Sequence, residues 1–344
     1  MSSVRGTSGG AGALWWGVGA AALAGTAMVA DRVQKVRRIP RELRSTMAYL
    51  PITFNASTLP LFRGRAGRTP PVTVPGVSTR GQTIPGVDGA PDVRVLVSER
   101  PDRPAGSPAL LWFHGGGFVL GSAAASTPTC RMFARDLNVL VVSVDYRLAP
   151  ECPFPAGLDD CYAALAWLHD NAKTLNIDPD RIAVGGDSAG GGLAACLAQR
   201  AHDAGLGVAF QLLIYPMLDD RTCLREPEAG VGELIWTPAS NQFGWSSYLG
   251  TEPGTVSPPP YAAASRRYAL AGLPPAWIGV GTPDLFRGED VAYAERLREA
   301  GVEVTLEIVE GLYHGADGLA SDAPQSKLFY ASQVDALRHG LALA

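Results

Sequence analysis

The feature that most constrains the fold is a glycine-rich turn, Gly-Asp-Ser-Ala-Gly at residues 186–190. The apolar run before it, 181–185, predicts a strand, and the small-residue run after it, 191–198, predicts a helix. A Gly-x-Ser-x-Gly turn between a strand and a helix is typical of a nucleophile elbow, in which a strained backbone presents the serine at the carboxyl edge of a sheet. The turn therefore makes Ser188 a candidate nucleophile.

Short apolar segments alternate with helical segments along the rest of the chain. Strands are predicted at 92–97, 109–113, 139–144, 210–215, 276–280 and 302–309. Helices are predicted at 158–175, from the elbow to about residue 202, at 289–300 and at 325–341. Segment 72–90, rich in Pro, Gly and Thr, is interpreted as loop. This alternation predicts an α/β fold with a mostly parallel sheet and helices on both faces.

Composition excludes several other classes of protein. The 344 residues, 47% of them hydrophobic, suffice for one large core with a small accessory lid. The formal net charge of −4 gives no indication of nucleic-acid binding, so we expect no nucleic-acid partner. Five scattered cysteines without a Cys-x-x-Cys pair argue against a disulfide framework and a zinc site. We expect no metal.

An uncharged stretch covers residues 11–30, and six basic residues follow it between positions 32 and 44. As a helix it would span about 30 Å, the thickness of a hydrocarbon core. A cleaved signal peptide carries its basic residues before the apolar run, whereas here they come after it. The positive-inside rule then places the remaining chain on the cytoplasmic side. Three interpretations stay open: a membrane anchor or surface segment, a soluble extension, and a secretion signal.

The few histidines allow a candidate general base to be found by elimination. His169, His202 and His339 fall within or at the ends of predicted helices. His114 lies in a glycine loop, where it more readily shapes the loop than accepts a proton. His314 follows the last predicted strand on a glycine-flanked loop, where it can lean over the carboxyl edge of the sheet. We therefore predict His314 as the base.

An acid to orient this histidine is expected between Ser188 and His314, because folds with such an elbow order the triad as serine, acid, histidine. Asp284 directly follows the predicted strand 276–280 and projects from the same edge. Glu289 and Asp290 are rivals, but they fall in the next helix, where pairing with Arg287 is expected.

Donors for an oxyanion are sought among backbone amides. Ala189, the residue after the candidate nucleophile, supplies one. The loop His-Gly-Gly-Gly at 114–117 can supply others, because glycine amides can face a ligand without a Cβ in the way. Simple loop flexibility and a phosphate-binding loop are the alternatives. The second lacks the spacing of the known phosphate-binding motifs.

Six motifs in order now resemble the hormone-sensitive-lipase family of α/β-hydrolase esterases, from about residue 91 to the C-terminus. They are His-Gly-Gly-Gly-Phe at 114–118, Asp-Tyr-Arg-Leu-Ala-Pro-Glu at 145–151, Gly-Asp-Ser-Ala-Gly-Gly at 186–191, Gly-Leu-Pro-Pro at 272–275, Asp284 and His314. The resemblance implies an α/β-hydrolase fold and a serine carboxylesterase acting on small-molecule esters with short to medium acyl chains. It implies no cofactor.

The resemblance also assigns expected roles to further residues. Gly116, Gly117 and Ala189 would be the oxyanion donors, and Asp187 and His114 would support the site. Glu151 would help order its nucleophile side, while Asp145 and Arg147 look structural. One departure is that Leu-Phe-Arg follows Asp284, where the family often has a proline and acidic residues.

A helical cap is implied as well, built from about 41–61 and from an insert at about 219–249. The chain would then divide into an extension, residues 1–40, and a hydrolase domain, residues 41–344. Candidate pocket or cap-core aromatics in the insert are Trp236, Phe243, Trp245 and Tyr248. A homodimer is a further expectation.

Two other functions compete with ester hydrolysis. Gibberellin receptors resemble this family but lack the catalytic histidine, so the presence of His314 argues against a receptor. Amide hydrolysis or deacetylation uses the same triad and stays open.

Overall fold

The structure, a computed structural model, describes residues 27–66 and 74–343. Within these residues eight strands form one sheet in the order β1-β2-β4-β3-β5-β6-β7-β8. The strands are β1 Ser78–Ile84, β2 Val93–Glu99, β3 Ser107–Phe113, β4 Leu140–Val144, β5 Ile177–Asp187, β6 Phe210–Ile214, β7 Ala276–Gly281 and β8 Val304–Val309. β2 pairs antiparallel with both β1 and β4, and all other neighbours pair in parallel.

Helices cover both faces of this sheet. They are α1 27–37, α2 Leu59–Ala66, α3 Thr127–Leu137, α4 Ala156–Asp170, α5 Ala172–Leu175, α6 Ala189–Ala204, α7 Pro238–Leu249, α8 Arg287–Glu299, α9 Ala316–Leu319 and α10 Pro324–Gly340. Alternation along β3 shows the two-sided burial: Leu111 and Phe113 belong to one apolar cluster, and Leu110 and Trp112 to the other. A strand buried on both faces reads as a continuous apolar run, which explains why the central strands are visible in the sequence.

The predicted mostly parallel α/β architecture is confirmed, with two local corrections. Segment 72–90 contains β1, a strand whose polar side chains face solvent because it pairs only with β2 at the sheet edge. The single helix predicted at 158–175 is two helices, α4 and α5. The helix is interrupted at Asn171, whose side-chain amide donates to the carbonyl of Trp167.

The N-terminal segment differs from the expectation of an extension ending at residue 40. Val36 and Ile39 are buried in the core. The guanidinium of Arg32, the first of the six basic residues, donates to the carbonyls of Glu233 at 2.7 Å and Leu50 at 2.8 Å. Burial lowers the pKa of Arg32. Residues 27–40 therefore pack as part of the hydrolase fold.

Most of the predicted apolar anchor, residues 11–26, lies outside the described residues. Over 27–66 and 74–343, none of the helices combines the length and apolar character that crossing a bilayer requires. Membrane association and a homodimer stay predictions from the sequence.

Two carboxylates at the start of α8 differ from their expected pairing with Arg287, which instead binds Glu228 at 2.7 Å. Glu289 turns inward and accepts the N–H of Leu218 at 2.6 Å, the N–H of Asp219 at 3.2 Å and the hydroxyl of Thr222. Asp290 is fully buried, and neither carboxylate oxygen has a hydrogen-bond partner among the described residues. Burial raises the pKa of Glu289 to about 8 and that of Asp290 well above its usual range.

We expect Asp290→Asn to stabilise the protein in a pH-dependent manner. A carboxyl whose pKa is higher in the folded state contributes stability below its unfolded pKa and loses it as the pH rises. The neutral amide avoids that loss, so its advantage in the free energy of unfolding should grow from pH 5 to pH 8, reaching about 1–3 kcal/mol. Urea unfolding at both pH values measures it. The exposed Asp322→Asn is the control, and an advantage independent of pH would contradict the prediction.

Candidate active site

Ser188 occupies the turn between β5 and α6 with φ 57° and ψ −121°, a left-handed backbone that is rare for a residue with a side chain. Close packing makes the flanking glycines necessary. A Cβ on Gly186 would lie 2.5 Å from the carbonyl oxygen of Phe113, and one on Gly190 would lie 2.1 Å from the same atom. The end of β3 thus packs directly against the turn that holds Ser188, and this contact restricts the backbone of the turn.

The three predicted triad residues meet at the carboxyl edge of the sheet. Nε2 of His314 lies 2.9 Å from Oγ of Ser188, and Nδ1 lies 2.9 Å from Oδ2 of Asp284. Asp284 lies on the turn after β7, His314 on the loop after β8, and all three side chains are buried. Since a carboxylate only accepts, the Nδ1 proton belongs to this pair, which leaves Nε2 free to accept the serine proton.

Neighbouring groups hold the acid and the histidine in place. The second oxygen of Asp284, Oδ1, accepts the backbone N–H of Phe286 at 2.9 Å. The Phe286 ring then meets the imidazole edge-to-face, with the ring centroids 5.2 Å apart. On other sides of the imidazole lie Tyr215, at 4.8 Å between centroids, and Trp236, at 6.2 Å. The imidazole is thus enclosed by aromatic rings.

The glycine loop after β3 is fastened beside the nucleophile. The N–H of Gly115 donates to Oδ1 of Asp187 at 3.2 Å. Gly116 and Gly117 have φ of 125° and 60°, which favour glycine. A Cβ on Gly117 would lie 2.0 Å from the indole ring of Trp236. The loop therefore lies between the elbow and the insert, with the backbone of Ala189 on the elbow side.

His114, at the start of this loop, helps to fix its conformation. Its imidazole stacks on the Tyr146 ring at 4.2 Å, Nδ1 lies 2.8 Å from the carbonyl oxygen of Gly115, and the Tyr146 hydroxyl donates to the His114 carbonyl at 2.7 Å. Burial lowers the pKa of His114 to about 4, so the ring is neutral at physiological pH. A neutral, stacked ring agrees with the expectation that His114 does not serve as the base.

Asp187 adjoins the nucleophile and is half-buried. Burial, assisted by the negative charge of Asp317, raises its pKa to about 6. Its carboxylate nevertheless accepts the Gly115 N–H, so it links the elbow to the glycine loop.

Glu151, expected to help order the nucleophile side of the site, pairs with an arginine of α2. Its side chain is 62% exposed and binds Nη1 of Arg63 at 2.7 Å. The other guanidinium nitrogens of Arg63 donate to the carbonyls of Val119 and Ala149 at 2.8 and 2.6 Å. Arg63 thus connects α2 to the chain after the glycine loop, and the ion pair with Arg63 links Glu151 to the same segment.

Asp145 and Arg147 are structural, as expected. Asp145 accepts the N–H of Ala123 at 2.6 Å and pairs with Arg94, and Arg147 forms a forked pair with Asp160. Within the described ranges, His, Cys, Asp and Glu side chains form no group of three or more that could hold a metal ion.

The two segments predicted as a cap contribute contacts near the triad. Phe54, from the N-terminal segment, packs on Trp236 with the ring centroids 5.7 Å apart. Trp245 and Tyr248 pack with Phe118 at 5.2 and 4.0 Å, away from the imidazole. Of these aromatic residues of the insert, Trp236 contacts the imidazole. Phe243, in α7, is half-buried.

Several neighbours of the triad are not predicted from the sequence. The Tyr215 hydroxyl donates to Asp317 at 2.8 Å, and the Tyr313 hydroxyl lies 2.8 Å from Oγ of Ser45. In the sequence, Tyr215 ends the predicted strand 210–215, and Asp317 belongs to no predicted element. No sequence signal connects residues so distant along the chain.

Gly190→Ala is expected to destabilise the fold by about 3 kcal/mol or more, because the added Cβ must push the elbow away from β3. Gly288→Ala is the matched control. It occupies the same second position in α8, where a Cβ would meet nothing within 4 Å, and it should be neutral or more stable by about 0.5–1 kcal/mol. Urea unfolding and ester turnover measure both. A Gly190→Ala protein as stable as wild type would show that the elbow is not tightly packed.

Comparison with known proteins identifies the family to which the chain belongs. Residues 110–317 match a family model described as the α/β hydrolase fold. Carboxylesterase NlhH of Mycobacterium tuberculosis is 36% identical over 304 residues, covering 87% of this chain and 95% of that protein. A bacterial heroin esterase superposes with a TM-score of 0.82 and 39% identity, covering 88% of this chain and 98% of that one. Esterase LipW from Mycobacterium marinum gives 0.79 and 36%, covering 89% and 96%. The chain therefore belongs to the hormone-sensitive-lipase family of α/β hydrolases, and it is an enzyme of the carboxylic ester hydrolase class.

Proposed function

We propose that the protein hydrolyses small-molecule esters with short to medium acyl chains through Ser188, His314 and Asp284, by way of an acyl-enzyme. The observation that carries this proposal is the unbroken chain of hydrogen-bond distances from the serine to the histidine to the aspartate, 2.9 Å at each step. A nucleophile, a base within reach of it and a group that orients the base are the arrangement that acyl transfer requires.

In the proposed reaction, Oγ of Ser188 attacks the ester carbonyl carbon while Nε2 of His314 accepts its proton. Asp284 holds the Nδ1–H and stabilises the imidazolium, without accepting the proton itself. Collapse of the tetrahedral intermediate breaks the bond to the alcohol oxygen, which takes the proton from Nε2. A water molecule then repeats the sequence on the acyl-enzyme and releases the carboxylic acid.

The negative oxygen of the intermediate would be bound by the amides of Gly116, Gly117 and Ala189. Three observations support this assignment. The glycine loop is fastened to Asp187 next to the nucleophile, Gly117 is held by its contact with Trp236, and Ala189 begins α6. The positive end of the helix dipole at Ala189 favours negative charge at this position.

Apolar rings support a small apolar ester as the substrate. Trp236, Phe286 and Tyr215 surround His314, and Phe54 extends this wall from the N-terminal segment. With Trp236 against Gly117, the space above the oxyanion loop is bounded by an indole ring, which suits a short or medium acyl group. The two segments that supply these rings, 41–61 and 219–249, act as the cap in this proposal.

A non-catalytic receptor is a weaker alternative. Simple binding does not require a histidine whose Nε2 lies 2.9 Å from Oγ of the serine. Amide hydrolysis uses the same groups and differs in its leaving amine. The substrate comparison below separates amide from ester hydrolysis.

Ser188→Ala and Asp284→Asn are expected to lower kcat by about 10³-fold or more, because each removes one part of a unit that acts as a whole. The double variant should be little worse than Ser188→Ala alone. Asp290→Asn is the matched control for the acid, since it changes a buried aspartate six positions away without touching the triad. Turnover of p-nitrophenyl acetate measures all of them. Loss of activity in Asp290→Asn with activity retained in Asp284→Asn would show that Asp290, in α8, is the residue that orients the histidine.

An acyl-chain series from p-nitrophenyl acetate to laurate, run beside the matching anilides, tests the substrate class. We expect kcat/KM to be highest for short to medium chains and to fall toward laurate, because Trp236 limits the space beside Gly117. Anilides should be cleaved far more slowly than esters. Equal rates on anilides would favour the amide alternative, and a maximum at laurate would contradict the short-chain proposal.

A further inference from the structure

A tyrosine packs against His314 and is hydrogen-bonded to a second carboxylate, and neither residue has a part in the reaction proposed above. The Tyr215 hydroxyl donates to Oδ1 of Asp317 at 2.8 Å. The Tyr215 ring meets the imidazole of His314 edge-to-face, with 4.8 Å between centroids and 61° between planes. Tyr215 is buried and Asp317 half-buried, so this hydrogen bond is largely shielded from water.

The backbone of Tyr215 is fixed on both sides. It follows Ile214, whose carbonyl accepts the N–H of Ser188 at 2.9 Å, and its own N–H donates to the carbonyl of Gly279 in β7 at 2.7 Å. Its φ of 34° lies in the left-handed region, which costs a residue with a side chain about 1–2 kcal/mol. Strain of this kind persists only where the surroundings enforce it. The position of the Tyr215 ring against His314 is therefore fixed by two neighbours of β6. They are the turn after β5, which carries Ser188, and β7, which precedes Asp284.

Asp317 lies three residues after His314, in the short helix α9. Its hydrogen bond to Tyr215 consequently ties the loop of the base to the strand next to the nucleophile. Burial raises the pKa of the Asp317 carboxyl, whereas its hydrogen bond to Tyr215 and the neighbouring His314 favour its ionised form. Asp317 is thus a second carboxylate in the surroundings of the imidazole, besides Asp284.

We propose that Tyr215 and Asp317 are positioning residues for His314. The hydroxyl of Tyr215 holds the histidine loop over Ser188, and the carboxylate of Asp317 favours the imidazolium that forms in both half-reactions. This inference rests on the proposed triad mechanism. It predicts that loss of the hydroxyl lowers kcat and that loss of the charge moves the pH dependence.

Other charged or titratable groups also face this part of the site. They are Asp187 beside Ser188, Asp284 on Nδ1, Tyr313 next to His314 and, behind Tyr313, Arg32 of α1. The variants of Tyr215 and Asp317 leave all of these groups in place, so that the hydroxyl and the charge are changed one at a time.

Tyr215→Phe keeps the ring and removes only the hydroxyl. We expect kcat on p-nitrophenyl acetate to fall about 2- to 10-fold with KM within twofold, the loss that one hydrogen bond to a charged group supports. Asp317→Asn keeps an acceptor for the hydroxyl and removes only the charge. Because the imidazole then binds its proton less tightly, the acid side of the kcat/KM profile should move to lower pH by about 0.5–1 unit.

A matched tyrosine–aspartate pair elsewhere in the chain provides the control. The Tyr330 hydroxyl donates to Asp136 at 2.9 Å between α10 and α3. Tyr330→Phe and Asp136→Asn should leave kcat and the pH profile unchanged, whatever they do to stability. Asp187→Asn identifies the titrating group, since an acid limb that persists there belongs to His314, and its disappearance would assign the limb to Asp187 and overturn the effect of charge.

The outcomes separate this inference from the proposed function. An active Ser188→Ala protein would refute the triad itself. An inactive Ser188→Ala protein together with wild-type kcat and an unshifted profile in both Tyr215→Phe and Asp317→Asn would refute the positioning role alone. Thermal unfolding of each variant accompanies the kinetics. If Tyr215→Phe does not fold, the Asp317→Asn profile decides, and an unshifted limb there overturns the proposal.

Discussion

The contact between the end of β3 and the first turn of α6 determines the geometry of everything around it. The carbonyl of Phe113 lies so close to Gly186 and Gly190 that neither position has room for a Cβ. This approach forces Ser188 into its left-handed backbone and places α6 with its positive end under the nucleophile. It also sets the glycine loop that leaves β3 directly beside the elbow. The same contact therefore sets the positions of the nucleophile and of the proposed oxyanion amides.

The parallel sheet then assembles the remaining groups. β5, β6, β7 and β8 are consecutive neighbours that all end at the same edge. Ser188 follows the first of them, Tyr215 the second, Asp284 the third and His314 the fourth. Each strand thus contributes one side chain, and hydrogen bonds between the loops set the final distances. The base depends on the most such contacts, because its loop is fastened to Asp284, to Tyr215 through Asp317, and to Ser45 through Tyr313.

Much of this site could be predicted because strand ends are visible in a sequence. Ser188, Asp284 and His314 each follow an apolar run, and parallel strands bring such positions together. The contacts of Glu289, Arg32 and Tyr215 could not be predicted in this way. Each joins segments far apart along the chain, and which way a side chain turns from its helix or strand depends on packing that periodicity does not describe. β1 escaped prediction for a related reason, since an edge strand needs few apolar residues.

The N-terminal segment carries a consequence for how the chain reaches its active form. Arg32 binds a carbonyl 201 positions later, and Ser45 meets a hydroxyl 268 positions later. On a ribosome adding roughly 5–20 residues per second, the partner of Ser45 emerges about 13–54 s after Ser45 itself. The segment that carries Arg32 and Ser45 therefore docks only after these distant partners have been made. Until residue 313 has been made, the segment lacks the contact through which it supports the histidine loop.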